Sequence, residues 1–275
     1  MNHRPWRWAM ASVKGTSHAR AGAPCQDACS CTLLNTQRGD PVLVAVASDG
    51  AGSAGRSQVG SRLICDRLLD EVTRLLSCGG GVEDFTREYA EAWLSRFQSE
   101  VRLRAEAEGL SARDYACTLL AAIVAPDLAV LMQLGDGVIV VSSSTGFGWA
   151  FWPERGEYAN TTFFATDPDA RDHLQYDLCT WPIEELAILT DGLQHLALVY
   201  QTHEVHLPFV EPMLAPVREG LQGHNATLSA SLAAYLASPL VNDRTDDDKT
   251  LILATRRMLE STHARSVSSD RLAEV

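Results

Sequence analysis

Three short apolar runs in this chain end in the same way. Val42-Leu43-Val44-Ala45-Val46-Ala47-Ser48 leads into Asp49-Gly50, residues 128–134 lead into Gly135-Asp136-Gly137, and Leu186-Ala187-Ile188-Leu189-Thr190 leads into Asp191-Gly192. A fourth acidic group, Asp246-Asp247-Asp248, stands just before a further apolar run, residues 250–254. Runs this short and this apolar read as strands, and the unbroken one at 42–47 as a strand buried on both faces. One Asp-Gly after a strand is an ordinary turn. The repetition carries more, because strand ends are rigid and several can converge on one place.

Between these runs the hydrophobic period changes. Residues 57–76 place Val59, Leu63, Ile64, Leu68, Leu69, Val72 and Leu76 at helical spacing, and residues 82–108 place Phe85, Tyr89, Trp93 and Phe97 four apart. That aromatic stripe reads as core rather than as a cofactor site. Residues 6–13 read as an edge strand, 115–125, 138–142 and 148–152 as further strands, and 228–236 as a helix. Strands in the middle and helices mostly early suggest an α+β layered domain, antiparallel sheets with helices packed outside. Gly79-Gly80-Gly81 is too short to separate domains, so one domain is expected over residues 1–257, followed by a loosely held polar tail over 258–275.

Composition excludes several classes. With 46% hydrophobic and 21% charged residues the chain is not disordered throughout. Lys+Arg of 23 against Asp+Glu of 35 leaves a net charge of −12, a field that repels nucleic acid and suits hard cations. Nothing approaches the roughly 18 uninterrupted apolar residues of a membrane span. Arg4 and Arg7 are not followed by the apolar core of a signal peptide. No nucleic acid, no membrane and a cytoplasmic setting are therefore expected. The seven cysteines are odd in number and scattered, unlike a disulfide framework. Cys25, Cys29 and Cys31 cluster, but without a second Cys/His pair at zinc-finger spacing.

Carboxylates gathered at strand ends repel one another unless a cation neutralises them. Oxygen ligands without His or Cys point to Mg²⁺ or Mn²⁺. Two such ions suit hydrolysis of a phosphate ester, because they orient the ester and lower the pKa of the attacking water. The glycines beside the aspartates let a carbonyl or a phosphate approach closely.

In order along the chain, Arg20…Gln26-Asp27-Ala28, Ser48-Asp49-Gly50-Ala51-Gly52, Leu134-Gly135-Asp136-Gly137, Leu189-Thr190-Asp191-Gly192-Leu193 and Asp247-Asp248-Lys249-Thr250 resemble the motifs of the metal-dependent type 2C serine/threonine protein phosphatases, over about residues 8–255. The resemblance implies a central sandwich of two antiparallel β-sheets with helices on both outer faces. It implies hydrolysis of phosphoserine or phosphothreonine in protein substrates by a metal-activated water, with no covalent intermediate. It also implies two Mn²⁺ or Mg²⁺ ions. Asp49 looks like the carboxylate that bridges them, Gly50 like a carbonyl ligand, and Asp191 and Asp247 like further ligands. Asp27 would ligate directly or through water, and Asp136 would serve a weaker third ion. Arg20 would grip the substrate phosphate, a task an arginine fork suits. Arg56 is the alternative, although a cation at a helix start is electrostatically disfavoured. His18, beside Arg20, is a candidate proton donor to the leaving oxygen.

The chain departs from the family pattern in four places. Gln26 stands where Glu is frequent, Gly22 where the arginine usually sits, Gly137 where Ser is usual, and Asp248 where Asn is usual. Two rival readings remain at this level. Gly50-Ala51-Gly52-Ser53-Ala54-Gly55 spells a dinucleotide-binding fingerprint between a strand and a helix, with Glu71 about twenty residues on. Asp49 would then lie beside the pyrophosphate, an electrostatic cost. The other rival is a degenerate phosphatase fold that only binds phosphoproteins, against which the retained Asp49, Asp191 and Asp247 speak. His203 and His206 read as exposed loop residues, and Tyr158-Ala159-Asn160 as a loop near the site.

Overall fold

The structure is a computed structural model that describes residues 4–153 and 162–257. The 258–275 tail and the 158–160 loop lie outside the described residues. The elements run β1 (Arg7–Val13), α1 (Thr16–Ala21), β2 (Ala28–Asn35), β3 (Pro41–Ser48), α2 (Ser57–Ser77), α3 (Arg87–Ala107), β4 (Leu119–Val124), β5 (Ala129–Leu134), β6 (Val138–Ser143) and β7 (Gly146–Trp149). They continue with α4 (Ala170–His173), β8 (Gln175–Cys179), β9 (Glu185–Leu189), α5 (Gln194–Ala197), β10 (Leu198–Val199), β11 (Glu204–Val205), α6 (Leu207–Glu219), β12 (Gly223–His224), α7 (Ala226–Leu236), α8 (Pro239–Asn242) and β13 (Lys249–Thr255).

Two main sheets form, one ordered β12-β1-β13-β9-β6-β7 and the other β2-β3-β4-β5-β8. Every pairing in them is antiparallel except the two-residue contact of β1 with β12. Strand β3 shows why its run is apolar without interruption. Val42, Val44 and Val46 pack with Ile64, Leu68 and Val72 of α2 and Trp93, Leu94 and Phe97 of α3. Leu43, Ala45 and Ala47 point the other way and meet Ile139, Leu186, Ile188 and Ile252 of the second sheet. Both faces are thus covered, although the neighbours are antiparallel. On the outer face of the second sheet Val138, Val140, Ala187, Leu189 and Leu251 pack under Phe209, Val210 and Leu214 of α6 and Leu232 and Leu236 of α7. The result is the expected helix–sheet–sheet–helix sandwich. Glu185, fully buried, accepts two hydrogen bonds from Arg218 at 2.7 Å each and so ties the end of α6 to β9.

Local departures from the sequence reading have local causes. The helix expected over 82–108 is a 3-10 turn, Val82–Asp84, followed by α3, because Thr86 caps a new helix by accepting from the Tyr89 N–H at 3.2 Å. Phe85 precedes that helix yet still packs on Tyr89, with ring centroids 4.9 Å apart. The strand read from 115 begins at Leu119, after a second 3-10 turn at Ala112–Tyr115. Strands β2 and β8 carry no clear strand pattern in the sequence because, at sheet edges, they interleave Cys, Ser, Thr, Gln and Asp with their apolar residues.

Helix α2 lies hard against the Ala112–Tyr115 turn, and Gly60 permits it: a Cβ there would sit 2.0 Å from the Tyr115 carbonyl oxygen. The same turn accepts the Arg56 N–H on the Asp114 carbonyl at 2.7 Å, and Ala116 accepts that of Ala51 at 2.9 Å. Gly60→Ala is therefore expected to destabilise the protein by about 1–3 kcal/mol through overpacking. Urea unfolding of the two proteins checks this.

Candidate metal centre and active site

The strand registers bring the acidic motifs together. Ala28 pairs with Ser48, so Asp27 before β2 and Asp49 after β3 stand side by side. Leu189 pairs with both Val138 and Leu251, which gathers Asp191 after β9, Asp136 before β6 and Asp247 before β13 at the same end of the other sheet. Asp49 is held by its own backbone: its N–H donates to Thr118 Oγ1 at 2.8 Å and its carbonyl accepts the Thr118 N–H at 2.8 Å. Gly50 has no room for a side chain, since a Cβ would come within 2.7 Å of the Gln26 carbonyl and 2.8 Å of Ser57.

Asp49, Gly50, Asp191 and Asp247 open onto a cavity of about 900 Å³, whose wall also carries His18, Gln26 and Arg113. Asp27 lies behind it. Its Oδ2 accepts from Thr190 Oγ1 and Thr250 Oγ1, each at 2.8 Å, whereas its buried Oδ1 meets no donor. The Asp49 carboxyl is within hydrogen-bonding reach of the Asp27 carboxyl. Burial raises the Asp49 pKa well above the usual carboxylate range, and the charges of Asp27, Asp191 and Asp247 add to the rise. Burial and then Asp136, Asp247 and Asp27 push Asp191 up to about 8. Burial also raises Asp27, against the hydrogen bonds it accepts. Among the described residues no three carboxyl, imidazole or thiol groups close into a ready-made cage. Even so, a donorless buried oxygen, mutually repelling carboxylates and an all-oxygen donor set fit a hard divalent cation.

Asp248 does something else. Its carboxylate accepts the backbone N–H of Gly15 at 2.6 Å and that of Gln26, and its Oδ2 lies 2.9 Å from His18 Nδ1. Burial would raise its pKa, but these donors outweigh burial and hold it below the usual value. Asp248 therefore clasps the first motif to the last strand. Its neighbour Lys249, fully buried, donates to Asn242 Oδ1 at 2.9 Å and to the Asp247 carbonyl at 3.2 Å, which steadies Asp247. Asp136 accepts from Thr162 Oγ1 at 2.9 Å, and its carbonyl accepts from Gln194 Nε2 at 2.6 Å.

The arginines expected at the phosphate are elsewhere. Arg20 folds back along its short helix onto the Thr16 carbonyl at 3.0 Å and lies 3.5 Å from Asp246, away from the cavity wall. Arg56 turns to Glu108 at 3.6 Å and is also off the wall. Among the described residues, the arginine that does line the cavity is Arg113, in the Ala112–Tyr115 turn. No motif announced it; only its place before a buried strand could have drawn attention. The Gly50–Gly55 loop follows a strand with antiparallel neighbours on both sides, so no βαβ unit supports a dinucleotide site. All seven cysteines are free, and Cys31 is buried between the sheets.

The sequence profile of protein phosphatase 2C matches residues 14–237. Serine/threonine-protein phosphatase 3 of Escherichia coli (strain K12) is 38% identical over 251 residues, which is 90% of this chain and 98% of that protein. The chain belongs to the protein phosphatase 2C family. Solved structures share the fold: the phosphatase Stp1 from Staphylococcus aureus superposes with a TM-score of 0.58 at 17% identity, over 90% of this chain and 94% of that one. RsbX, solved in complex with magnesium, gives a TM-score of 0.55 at 12% identity, over 93% and 97%. The family's activity, metal-dependent dephosphorylation of serine and threonine in proteins, is the one the motifs led to expect. Among the described residues of this 2C phosphatase no helix is long and apolar enough to cross a membrane.

The raised carboxyls predict how the metal-free protein responds to pH. Their folded-state pKa values lie above the unfolded ones, so between the two the folded state holds more protons and stability falls as pH rises. For Asp191 that window runs from 3.8 to about 8. Without metal, the melting temperature is expected to be lower at pH 8 than at pH 6, and saturating Mn²⁺ is expected to remove or reverse the difference. Calorimetric melting with and without EDTA checks this.

Proposed function

We propose that this 2C phosphatase hydrolyses phosphoserine and phosphothreonine in proteins with two Mn²⁺ or Mg²⁺ ions, which Asp49, the Gly50 carbonyl, Asp191 and Asp247 would hold. The observation that carries this is the gathering of Asp49, Asp191 and Asp247 on one cavity wall, with the buried Asp27 Oδ1 beside them left without a donor. When bound, the ions supply the positive charge that gathers the phosphate oxygens and activates the attacking water. Asp27 stands behind Asp49, oriented by Thr190 and Thr250, and acts directly or through water. Asp136, whose charge bears on Asp191, is the ligand we assign to a weaker third ion. Arg113 takes the phosphate-gripping role in place of Arg20, because it reaches the cavity wall. The free thiols fit a cytoplasmic setting, with phosphorylated proteins as partners and residues 1–257 as the working domain.

Asp49→Asn is expected to fold and to lose at least about a thousandfold in kcat, or about 4 kcal/mol of transition-state stabilisation. Without metal it should melt higher than the wild type at pH 8, since a repelling charge is gone. Turnover within threefold of wild type would refute the assignment. Asp136→Ala is expected to slow turnover and to require more Mn²⁺ while tight binding at the other sites persists, as titration calorimetry would show. Arg113→Ala is expected to raise KM for a phosphopeptide by about tenfold, the scale of one charge-assisted hydrogen bond, and by clearly more than Arg20→Ala does.

A further inference from the structure

Cations and a guanidinium account for the phosphate, but not for the oxygen that leaves it. A serine or threonine side chain departs as an alkoxide, a poor leaving group at neutral pH, so a proton delivered to it lowers the barrier. The cavity wall offers few groups for that task. Asp49, Asp191 and Asp247 face the cations. Asp114 Oδ2 is taken by the Ser111 N–H at 2.9 Å and the Ser111 hydroxyl at 2.8 Å. Asp167 Oδ2 is taken by the Phe164 N–H at 2.8 Å. His18 remains.

His18 is set as an oriented imidazole. Its Nδ1 lies 2.9 Å from Asp248 Oδ2, and Asp248 is fixed by the backbone N–H groups of Gly15 and Gln26. The carboxylate is 1% exposed and the imidazole 17%, so the first is rigid and the second reaches solvent from the wall. With Nδ1 buried against the Asp248 carboxylate, Nε2 is the nitrogen left to serve the cavity. An aspartate here, where the family usually has Asn, gives the imidazole a charged partner.

We propose that His18 is the general acid of this phosphatase for alkyl phosphates, with Asp248 as its positioning residue; this rests on the phosphatase reading of the cavity. Water attacks phosphorus, the P–O bond to the side chain breaks with its electron pair on the leaving oxygen, and that oxygen takes the Nε2 proton of protonated His18. The proton lost by the attacking water returns to solvent, from which the neutral imidazole is recharged. The products are a free hydroxyl and inorganic phosphate.

The test compares leaving groups. Full-length wild type and His18→Asn, saturated with Mn²⁺, are assayed on a phosphoseryl peptide and on p-nitrophenyl phosphate, whose leaving group needs no proton. Asn keeps an N–H for Asp248 but has nothing in the place of Nε2. The expected result is a loss of about a hundredfold in kcat on the peptide, in the range of general acid catalysis. The loss on the aryl ester should be at least tenfold smaller, with Mn²⁺ affinity by calorimetry unchanged. Asp248→Asn should show the same split in weaker form; where it fails to fold, His18→Asn decides. Equal losses on both substrates, or none, would overturn the proposal. Wild-type turnover of p-nitrophenyl phosphate that survives EDTA would instead overturn the metal-dependent reading itself.

Discussion

Negative charge concentrated at one end of a sandwich is the constraint around which this protein is arranged. Asp27, Asp49, Asp136, Asp191 and Asp247 are carried there by the registers of β2, β3, β6, β9 and β13. In the absence of a cation, burial and the neighbouring carboxylates raise the pKa of Asp49 and of Asp191. The cores on either side of each sheet hold the backbone that forces these groups together. Folding energy from burial thereby sustains an arrangement that is unfavourable until positive charge arrives.

The second theme is how the first motif is held against the last strand. Asp248 accepts from Gly15 and Gln26, Ser61 Oγ donates to the Gln26 carbonyl, and Thr190 and Thr250 hold Asp27. Segments more than 200 residues apart in the chain meet in these bonds. The departures from the family pattern find places in this clasp: Gln26 contributes backbone where Glu would contribute charge, and Asp248 contributes charge where Asn would not. An imidazole at the cavity wall is the consequence with chemical reach.

Much of the layout was legible. Unbroken apolar runs marked β3 and β9, helical periodicity marked α2, and Asp-Gly at the run ends marked Asp49 and Asp191, which open onto the cavity. The helix expected from residue 82 was split by the Thr86 cap, a competition that periodicity does not register. Strands β2 and β8 were missed because an edge strand needs little apolar signal and takes its hydrogen bonds from a neighbour that lies elsewhere in the sequence.

Sequence alone determined the fold class, the order of the acidic motifs and their all-oxygen chemistry, because burial period and residue chemistry are local properties. Which arginine lines the cavity was decided only by tertiary structure. Arg20 sits next to the first motif, yet the turn of α1 sends its guanidinium back to Thr16. Arg113 is 86 residues beyond Asp27 in sequence, yet the contact of α2 with the Ala112–Tyr115 turn sets it on the wall. The same holds for His18, whose partner Asp248 is 230 residues away. Side-chain direction depends on packing between distant segments, and that information exists only once the chain has folded.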